Sequence, residues 1–122
     1  MLQIKRAYDP PSAADGPRIL VDRLWPRGCT KEALHLHAWP KALTPSTDLR
    51  KAFHGGTLTF EVFAQRFRQE LTLPEAQAAV DELVALARNG ALTLVTAHRN
   101  LEENHALVLK AVLETRLKKG QT

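Results

Sequence analysis

Two short stretches of the sequence concentrate side chains that could bind or react with a ligand. Residues 22–28, "DRLWPRG", hold an aspartate, two arginines and a tryptophan directly after the apolar run "RILV". Residues 96–100, "TAHRN", follow a second apolar run, "ALTLV", and add a histidine, an arginine and an asparagine. Guanidinium groups bind phosphate and carboxylate through paired hydrogen bonds, and the free N–H groups at the start of a helix attract anions. The two stretches therefore predict a site for a small anionic molecule.

The predicted ligand-binding side chains come from both stretches. The arginines would clamp the anion, while Arg99 and Asn100 would lie at the positive end of the last predicted helix, which His98 precedes. Trp25, like Trp39, could stack on a ring of the ligand, but packing in the interior is the favoured interpretation of both. The complete predicted set is Arg23, Trp25, Arg27, His98, Arg99 and Asn100.

Asp22 and His105 are the candidates for a catalytic role at this site. Histidine titrates near neutral pH, so His105 would be the residue that moves a proton. An aspartate beside arginines most simply orients them through an ion pair, and their charge moves its pKa away from that of a general base. His98 is the weaker proton-transfer candidate, because a histidine at a helix entrance often bonds only the backbone or faces solvent.

Other reactive residue types carry weaker signals. Cys29 lies near Arg27, which could lower the pKa of its thiol, but without a sequence-adjacent base it is more simply a small apolar filler. "HLH" at 35–37 offers two ligands where a metal normally needs a third, so we predict no metal site. His54, beside two glycines, is interpreted as a helix-end residue. The chain has no P-loop, GxGxxG or GxSxG motif, and it indicates no particular cofactor.

Three short apolar runs predict β-strands, at residues 2–6, 18–21 and 91–95. Because helical segments separate the runs, the strands should pair mostly in parallel, with helices packed on the sheet. The predicted fold class is α/β, a small three-layer sandwich forming a single domain over residues 1–122. Ligands of such sheets bind beyond the carboxyl ends of the strands, which is where both polar stretches begin.

Helix signals fill the segments between the predicted strands. Apolar residues at i, i+3, i+4, i+7 and i+11 predict one amphipathic helix over 60–71. Ser46 can cap a shorter helix before it, and Thr30 can begin another short one. A Thr-x-x-Glu pattern at 72–75 and an Asn-x-x-Glu pattern at 100–103 predict the starts of two later helices.

The length, composition and net charge of the chain narrow the class of protein. A chain of 122 residues with 44% hydrophobic and 25% charged residues is typical of a globular protein. The net charge of +4 is spread along the chain, and nucleic acid is therefore less favoured as a partner than a small anion. One cysteine and the absence of any apolar run near the ~20 residues of a membrane span predict a cytoplasmic protein with no membrane association. The oligomeric state is not predicted.

Several segments together resemble one bacterial family. "IKRAYDPP", "ILVDRLWPRG", "STDLRKAF", "FAQRFRQEL" and "LTLVTAHRNLEENHALVL" are similar to the YeaO-like branch of a bacterial domain of unknown function. The resemblance covers roughly residues 3–114 and implies a small α/β protein, but it implies no reaction. Arg99, Asn100 and Glu103 stand where relatives of this kind often carry a basic residue, an aspartate and a histidine.

A more distant branch of the same family bears on the chemistry. Threaded onto its pattern, Thr96 and Asn104 replace two cysteines, whereas His105 keeps a histidine. The resemblance therefore implies no thiol chemistry in this chain and adds weight to His105. The leading hypothesis is an enzyme or enzyme-like domain that binds a small phosphorylated or carboxylated molecule. The alternative is a non-catalytic binding module for nucleic acid or a protein partner.

Overall fold

A three-stranded parallel sheet is the centre of the computed structural model, which describes residues 1–119. The central strand β3 pairs in parallel with β1 on one side and with β2 on the other. All three strands therefore end at the same edge of the sheet, which we call the carboxyl edge. The strands are β1 (Leu2–Arg6), β2 (Arg18–Leu20) and β3 (Leu92–Thr96).

The segments between and after the strands form helices, as their sequence patterns predict. In chain order these are α1 (Lys31–Leu34), α2 (Thr47–His54), α3 (Phe60–Glu70), α4 (Pro74–Arg88) and α5 (His105–Lys119). Helix α5 packs against β1, β3, α3 and α4, and α2 packs against α3. Within residues 1–119 no helix combines the length and the apolar composition needed to cross a bilayer.

One face of the sheet carries the main hydrophobic core. Ile19 and Leu94 are fully buried on this face and belong to the same cluster as Phe67 and Leu109, from helices α3 and α5. The predicted periodicity of 60–71 is confirmed, since Phe63, Ala64, Phe67 and Leu71 are all buried. Burying a side chain of this size stabilises the fold by about 1.5–3 kcal/mol, so this face supplies most of the stability.

The opposite face of the sheet is covered more thinly. Leu20 and Val95 point to this side and pack with Leu34 of α1 and with the half-buried Trp39. The predicted α/β class with a parallel sheet is confirmed. The three layers are unequal, because the second face is covered by the single-turn helix α1 and its flanking loop rather than by a long helix.

A buried ionic cluster also ties β1 to β2. The Asp15 carboxylate lies 2.7 Å from Nη1 of Arg18 and 3.1 Å from Nζ of Lys5. Burial alone would raise the pKa of Asp15, but the Ser12 N–H, Lys5 and Arg18 together hold that pKa below its ordinary value. The charge is compensated on every side, as a buried carboxylate requires.

Two of the predicted helix caps are confirmed. The Ser46 hydroxyl accepts a hydrogen bond from the Leu49 N–H at 3.2 Å at the start of α2. The Thr30 hydroxyl accepts one from the Ala33 N–H at 3.0 Å at the start of α1. Both caps satisfy N–H groups that a helix start leaves without a partner.

Two other predicted caps do not begin the helices they were predicted to begin, although Pro74 lies in the first turn of α4 as predicted. The Thr72 hydroxyl donates to the Gln69 carbonyl at 2.6 Å, and α4 begins at Pro74 without a side-chain cap. The last helix begins at His105, where Asn104 accepts from the Leu107 N–H at 3.1 Å. The predicted cap at 100–103 instead closes a separate turn, in which the Asn100 side chain accepts from the N–H groups of residues 102 and 103.

The fully buried position of Leu94 in the central strand yields a stability prediction. Leu94→Ala should lower the free energy of unfolding by about 2–5 kcal/mol, because it removes buried methyl groups and leaves a cavity. The matched change Leu101→Ala, at a side chain that is 40% exposed, should alter it by less than about 0.5 kcal/mol. Urea denaturation measures both, and equal losses would contradict this placement of the core.

Candidate functional site

A pocket of about 310 Å³ lies at the carboxyl edge of the sheet. The chain reaches it after every strand: Tyr8 follows β1, residues 22–27 follow β2, and Ala97 and His98 follow β3. His105, the first residue of α5, lies in the same wall, and residues of α2 and α3 complete it. The two polar stretches singled out in the sequence therefore meet in one cavity.

Asp22 is the most connected side chain of the pocket. Its carboxylate accepts hydrogen bonds from the Thr96 hydroxyl at 2.7 Å and from the Ala97 N–H at 2.8 Å. Nε2 of His105 lies 2.8 Å from the same carboxylate. The Asp22 backbone carbonyl accepts from the indole N–H of Trp39 at 2.6 Å. One residue thus joins the ends of β2 and β3 to the start of α5.

These contacts keep Asp22 ionised. Burial would raise its pKa, but the hydrogen bond and charge of His105, with smaller contributions from Ala97 and Thr96, hold the pKa below the ordinary value of 3.8. An ionised Asp22 is an acceptor, so Nε2 of His105 must carry the hydrogen between them. The prediction that Asp22 orients an arginine is wrong, because the carboxylate orients His105 and no arginine lies within ion-pair distance of it.

His98 is held as a neutral ring. Its Nδ1 accepts a hydrogen bond from the Asn100 N–H at 3.3 Å. Its pKa lies below the ordinary value of 6.5 because the ring is partly buried and because His105 and His54 are close, with ring centroids 6.3 and 5.5 Å away. In the neutral form the remaining hydrogen lies on Nε2, which makes His98 a hydrogen-bond donor.

Three arginines line the pocket without a carboxylate partner. Arg23 donates from Nε to the Pro45 carbonyl at 2.9 Å, which fixes the side chain and leaves its terminal nitrogens without a partner in residues 1–119. Arg27 is exposed, and Arg50 reaches the pocket from α2. The buried Nε of Arg50 has no hydrogen-bond partner among the described residues. Among those residues, the ion pairs involve none of the three.

Two aromatic side chains of the wall are fixed by polar contacts at their edges. The indole N–H of Trp25 donates to the Cys29 carbonyl at 2.7 Å, and its ring packs edge-on against Trp39 at 5.4 Å. The Tyr8 hydroxyl donates to the Arg27 carbonyl at 3.1 Å. Both rings are therefore anchored to the backbone of the loop that follows β2.

The structure brings most of the predicted site residues together and leaves two apart. The residues that line the pocket are Asp22, Arg23, Trp25, Arg27, His98 and His105. Arg99 and Asn100 are exposed and are not part of its lining. The observed start of α5 explains the difference. The sequence predicted that this helix begins at Asn100, but it begins at His105, so these two residues lie in the preceding turn and not at the helix N-terminus.

Helix α2 supplies pocket residues that the sequence analysis missed. Arg50, Phe53 and His54 all line the cavity, and their i, i+3, i+4 spacing places them on one face of the helix. His54 is the last residue of α2, as its position before two glycines indicates. The i, i+3, i+4 spacing could have indicated that these three residues share a face of the helix. Only the packing of α2 in the structure shows that this face meets the carboxyl edge of the sheet.

The remaining reactive residue types lie elsewhere. Cys29 is partly buried against the cluster on the thinner face of the sheet, which agrees with the interpretation of a small apolar filler. His35 ends helix α1 in a left-handed conformation with φ 49°. In the part of the chain that is described, no three His, Cys, Asp or Glu side chains converge as a metal-binding group.

The whole chain, residues 1–122, matches the family model described as the inactive DUF488-N3 subclade. The chain belongs to this family. It is 47% identical to the uncharacterized protein YeaO of Escherichia coli over 108 residues, which cover 88% of this chain and 92% of that protein. Uncharacterized proteins of Mycobacterium bovis and Mycobacterium tuberculosis are 36% identical over 115 residues, or 94% of this chain and 95% of theirs. The predicted YeaO-like resemblance is confirmed. No solved structure matches the chain.

Thr96 and Asn104, which the sequence resemblance places at cysteine positions of a more distant branch, have structural roles here. The Thr96 hydroxyl donates to Asp22 and accepts from the His98 N–H at 3.1 Å. Asn104 is fully buried, and its side-chain amide donates to the Asn100 carbonyl at 2.6 Å. Both side chains order the loop between β3 and α5, and neither can act as a thiol.

The lowered pKa of Asp22 makes its contribution to stability depend on pH. Asp22→Asn should lower the free energy of unfolding by about 2 kcal/mol at pH 7, since hydrogen bonds to a charged group contribute about 1.5–3 kcal/mol. Because the folded-state pKa is the lower one, the wild-type advantage is complete above the ordinary value of 3.8 and shrinks as pH falls through the folded-state value. Urea denaturation across this range measures the difference.

The surface ion pair of Asp81 and Arg116 provides the control for the Asp22→Asn measurement. Asp81→Asn should cost less than about 1 kcal/mol, because the Asp81 side chain is 60% exposed and solvent screens the pair. If Asp22→Asn were as mild as Asp81→Asn at pH 7, the carboxylate network would not stabilise the fold.

The three neighbouring histidines yield a second electrostatic prediction. His54→Gln should raise the pKa of His98, because it removes a positive charge that opposes protonation of that ring. The matched change His37→Gln, outside the pocket lining, should leave it unchanged. An NMR titration of the His98 ring measures both variants, and an unchanged or lowered pKa in His54→Gln would contradict the coupling.

Proposed function

We propose that this protein binds a small phosphorylated or carboxylated molecule in the pocket at the carboxyl edge of its sheet. One observation carries the proposal: Arg23, Arg27 and Arg50 line a single pocket whose one carboxylate, Asp22, is already bound by His105, Thr96 and Ala97. The pocket therefore has an excess of positive charge that no described residue neutralises. An anion is the ligand that this charge distribution favours.

The guanidinium of Arg50 supports the same conclusion. Its Nε is inaccessible to solvent, but its terminal nitrogens are not, and they form no hydrogen bond within residues 1–119. A phosphate or carboxylate oxygen in the pocket would supply an acceptor for these terminal nitrogens. The terminal nitrogens of Arg23 have no acceptor in the described residues either, so the same anion could receive hydrogen bonds from two elements.

The start of α5 adds to the attraction. His105 is the first residue of this helix, so the positive end of the helix dipole lies beside the pocket. His98 contributes a neutral ring with a donor nitrogen rather than a further acceptor. A bound anion would favour protonation of this ring, which links ligand binding to an increase in the pKa of His98.

Recognition without turnover is the form of the proposal that the family favours. The chain belongs to a subclade described as inactive, and its one cysteine, Cys29, does not line the pocket. We propose that the protein binds its ligand in the cytoplasm, where phosphorylated and carboxylated metabolites are abundant.

A second candidate function, acid–base catalysis on the bound anion, rests on the pair of Asp22 and His105. A carboxylate that holds one nitrogen of an imidazole fixes its tautomer and its direction, as in catalytic acid–base pairs. His105→Gln separates the two candidates. Turnover of any ligand found for the pocket would stop in this variant if His105 transfers a proton, and a ligand that is recovered unchanged from the wild-type protein would exclude catalysis.

Inorganic phosphate and citrate test the anion-binding function directly. Both should raise the melting temperature of the wild-type protein, since a ligand that binds only the folded state stabilises it. Arg50→Gln should weaken binding at least about tenfold in isothermal titration calorimetry, because a charge-assisted hydrogen bond is worth about 1.5–3 kcal/mol. If no anion stabilises the wild-type protein, the proposal fails.

Arg88→Gln is the matched control, since Arg88 is exposed at the end of α4 and does not line the pocket. It should bind phosphate like the wild type, which separates a specific site from general surface charge. Arg99→Gln should behave in the same way because Arg99 lies in the exposed turn before α5. A loss of binding in Arg99→Gln would restore Arg99 to the site.

A further inference from the structure

We infer that the anion bound in this pocket carries a flat aromatic ring, and that the ligand class is a nucleoside monophosphate. The inference rests on the anion-binding function proposed above and adds to it the part of the ligand that the arginines do not recognise. It is supported by the set of apolar side chains that line the same cavity. An inorganic anion would leave these side chains exposed to water.

Exposed apolar side chains also line the pocket. Three of the six large hydrophobic side chains that are exposed within residues 1–119 line this cavity: Tyr8, Leu24 and Trp25, at 52%, 62% and 37% exposure. Contiguous apolar surface on a folded protein commonly marks a binding site. These side chains line the same cavity as the three arginines, so the complementary ligand is both apolar and anionic.

The aromatic rings are oriented before any ligand binds. The polar edges of Trp25 and Tyr8 are already hydrogen-bonded to the carbonyls of Cys29 and Arg27. The guanidinium of Arg6 lies over the Tyr8 ring at 5.5 Å, so the surface left for a ligand is that of Trp25 and the other face of Tyr8. Trp25 is additionally supported by its edge-on contact with Trp39. Fixed rings lose little conformational entropy on binding, and π surfaces favour a planar partner over a sugar or an aliphatic chain.

Each arginine of the pocket has an aromatic neighbour in the sequence. Arg23 and Arg27 lie two residues on either side of Trp25 in the loop after β2. Arg50 lies one helical turn before Phe53, whose ring stacks on Phe63 with centroids 4.4 Å apart. The loop after β2 and helix α2 therefore each contribute both arginine and aromatic side chains to the cavity, a combination that suits a phosphate joined to a base through a sugar.

The volume of the pocket limits the size of the ligand. Small-molecule sites usually measure ~300–1,000 Å³, and this cavity of about 310 Å³ lies at the lower end. An inorganic phosphate would fill a small part of it, whereas a dinucleotide cofactor would exceed it. One base, one sugar and one phosphate suit the space. A free nucleotide is favoured over a nucleic-acid strand because the arginines surround a cavity instead of forming a stripe along the surface.

Titration calorimetry with adenosine, ribose 5-phosphate and the four ribonucleoside 5′-monophosphates tests the inference. At least one monophosphate should bind about tenfold more tightly than ribose 5-phosphate, because stacking of a base on an aromatic side chain contributes about 1–3 kcal/mol. Trp25→Ala should remove this gain while leaving the affinity for ribose 5-phosphate unchanged. Trp25→Phe, which keeps a flat ring, should restore part of it.

The outcomes separate this inference from the function on which it rests. If ribose 5-phosphate binds as tightly as every nucleotide, the aromatic ring is not recognised and the inference fails, but the anion site stands. If adenosine binds as tightly as adenosine monophosphate, the anion-binding function fails. If a 5′-phosphorylated single-stranded oligonucleotide binds more tightly than any free nucleotide, with steep salt dependence, the occupant is a nucleic-acid strand and the inference is overturned.

Discussion

The carboxylate of Asp22 is the interaction on which the candidate site depends. It lies between the ends of β2 and β3 and the start of α5, and it accepts from a hydroxyl, a backbone N–H and an imidazole. A buried carboxylate is tolerated only when such donors compensate for the loss of water. The same requirement explains why Asp22 is positioned to hold His105 and is poorly placed to act as a base.

The unequal covering of the two sheet faces determines where the pocket forms. Long helices pack on one face, where Phe67 and Leu109 fill the core, while the single-turn α1 covers part of the other face. The loop that follows β2 has to cross the carboxyl edge before it reaches α1, and it carries Trp25 and the two arginines 23 and 27 with it. Helix α2 closes the cavity from the main-core side. The pocket is therefore bounded by elements from both layers.

Local patterns predicted the elements well but predicted their long-range contacts poorly. Apolar runs located the three strands, and the spacing of phenylalanines located α3. The caps at Ser46 and Thr30 were predictable because a cap needs only nearby residues. The start of α5 was not, since Asn100 and Asn104 are both good caps and only the packed helix distinguishes them. The pairing of Asp22 with His105 joins residues 83 positions apart, and no local pattern encodes it.

The wall of the pocket draws on residues from Tyr8 to His105, which is nearly the whole described chain. Closing loops of this length costs conformational entropy that has to be offset by the core before the wall can form. The cavity therefore depends on contacts between distant parts of the sequence, and no short fragment of the chain contains it. Transfer of the loop after β2 to another scaffold would carry Arg23 and Arg27 but not the pocket. The site can therefore be transferred only together with the entire fold.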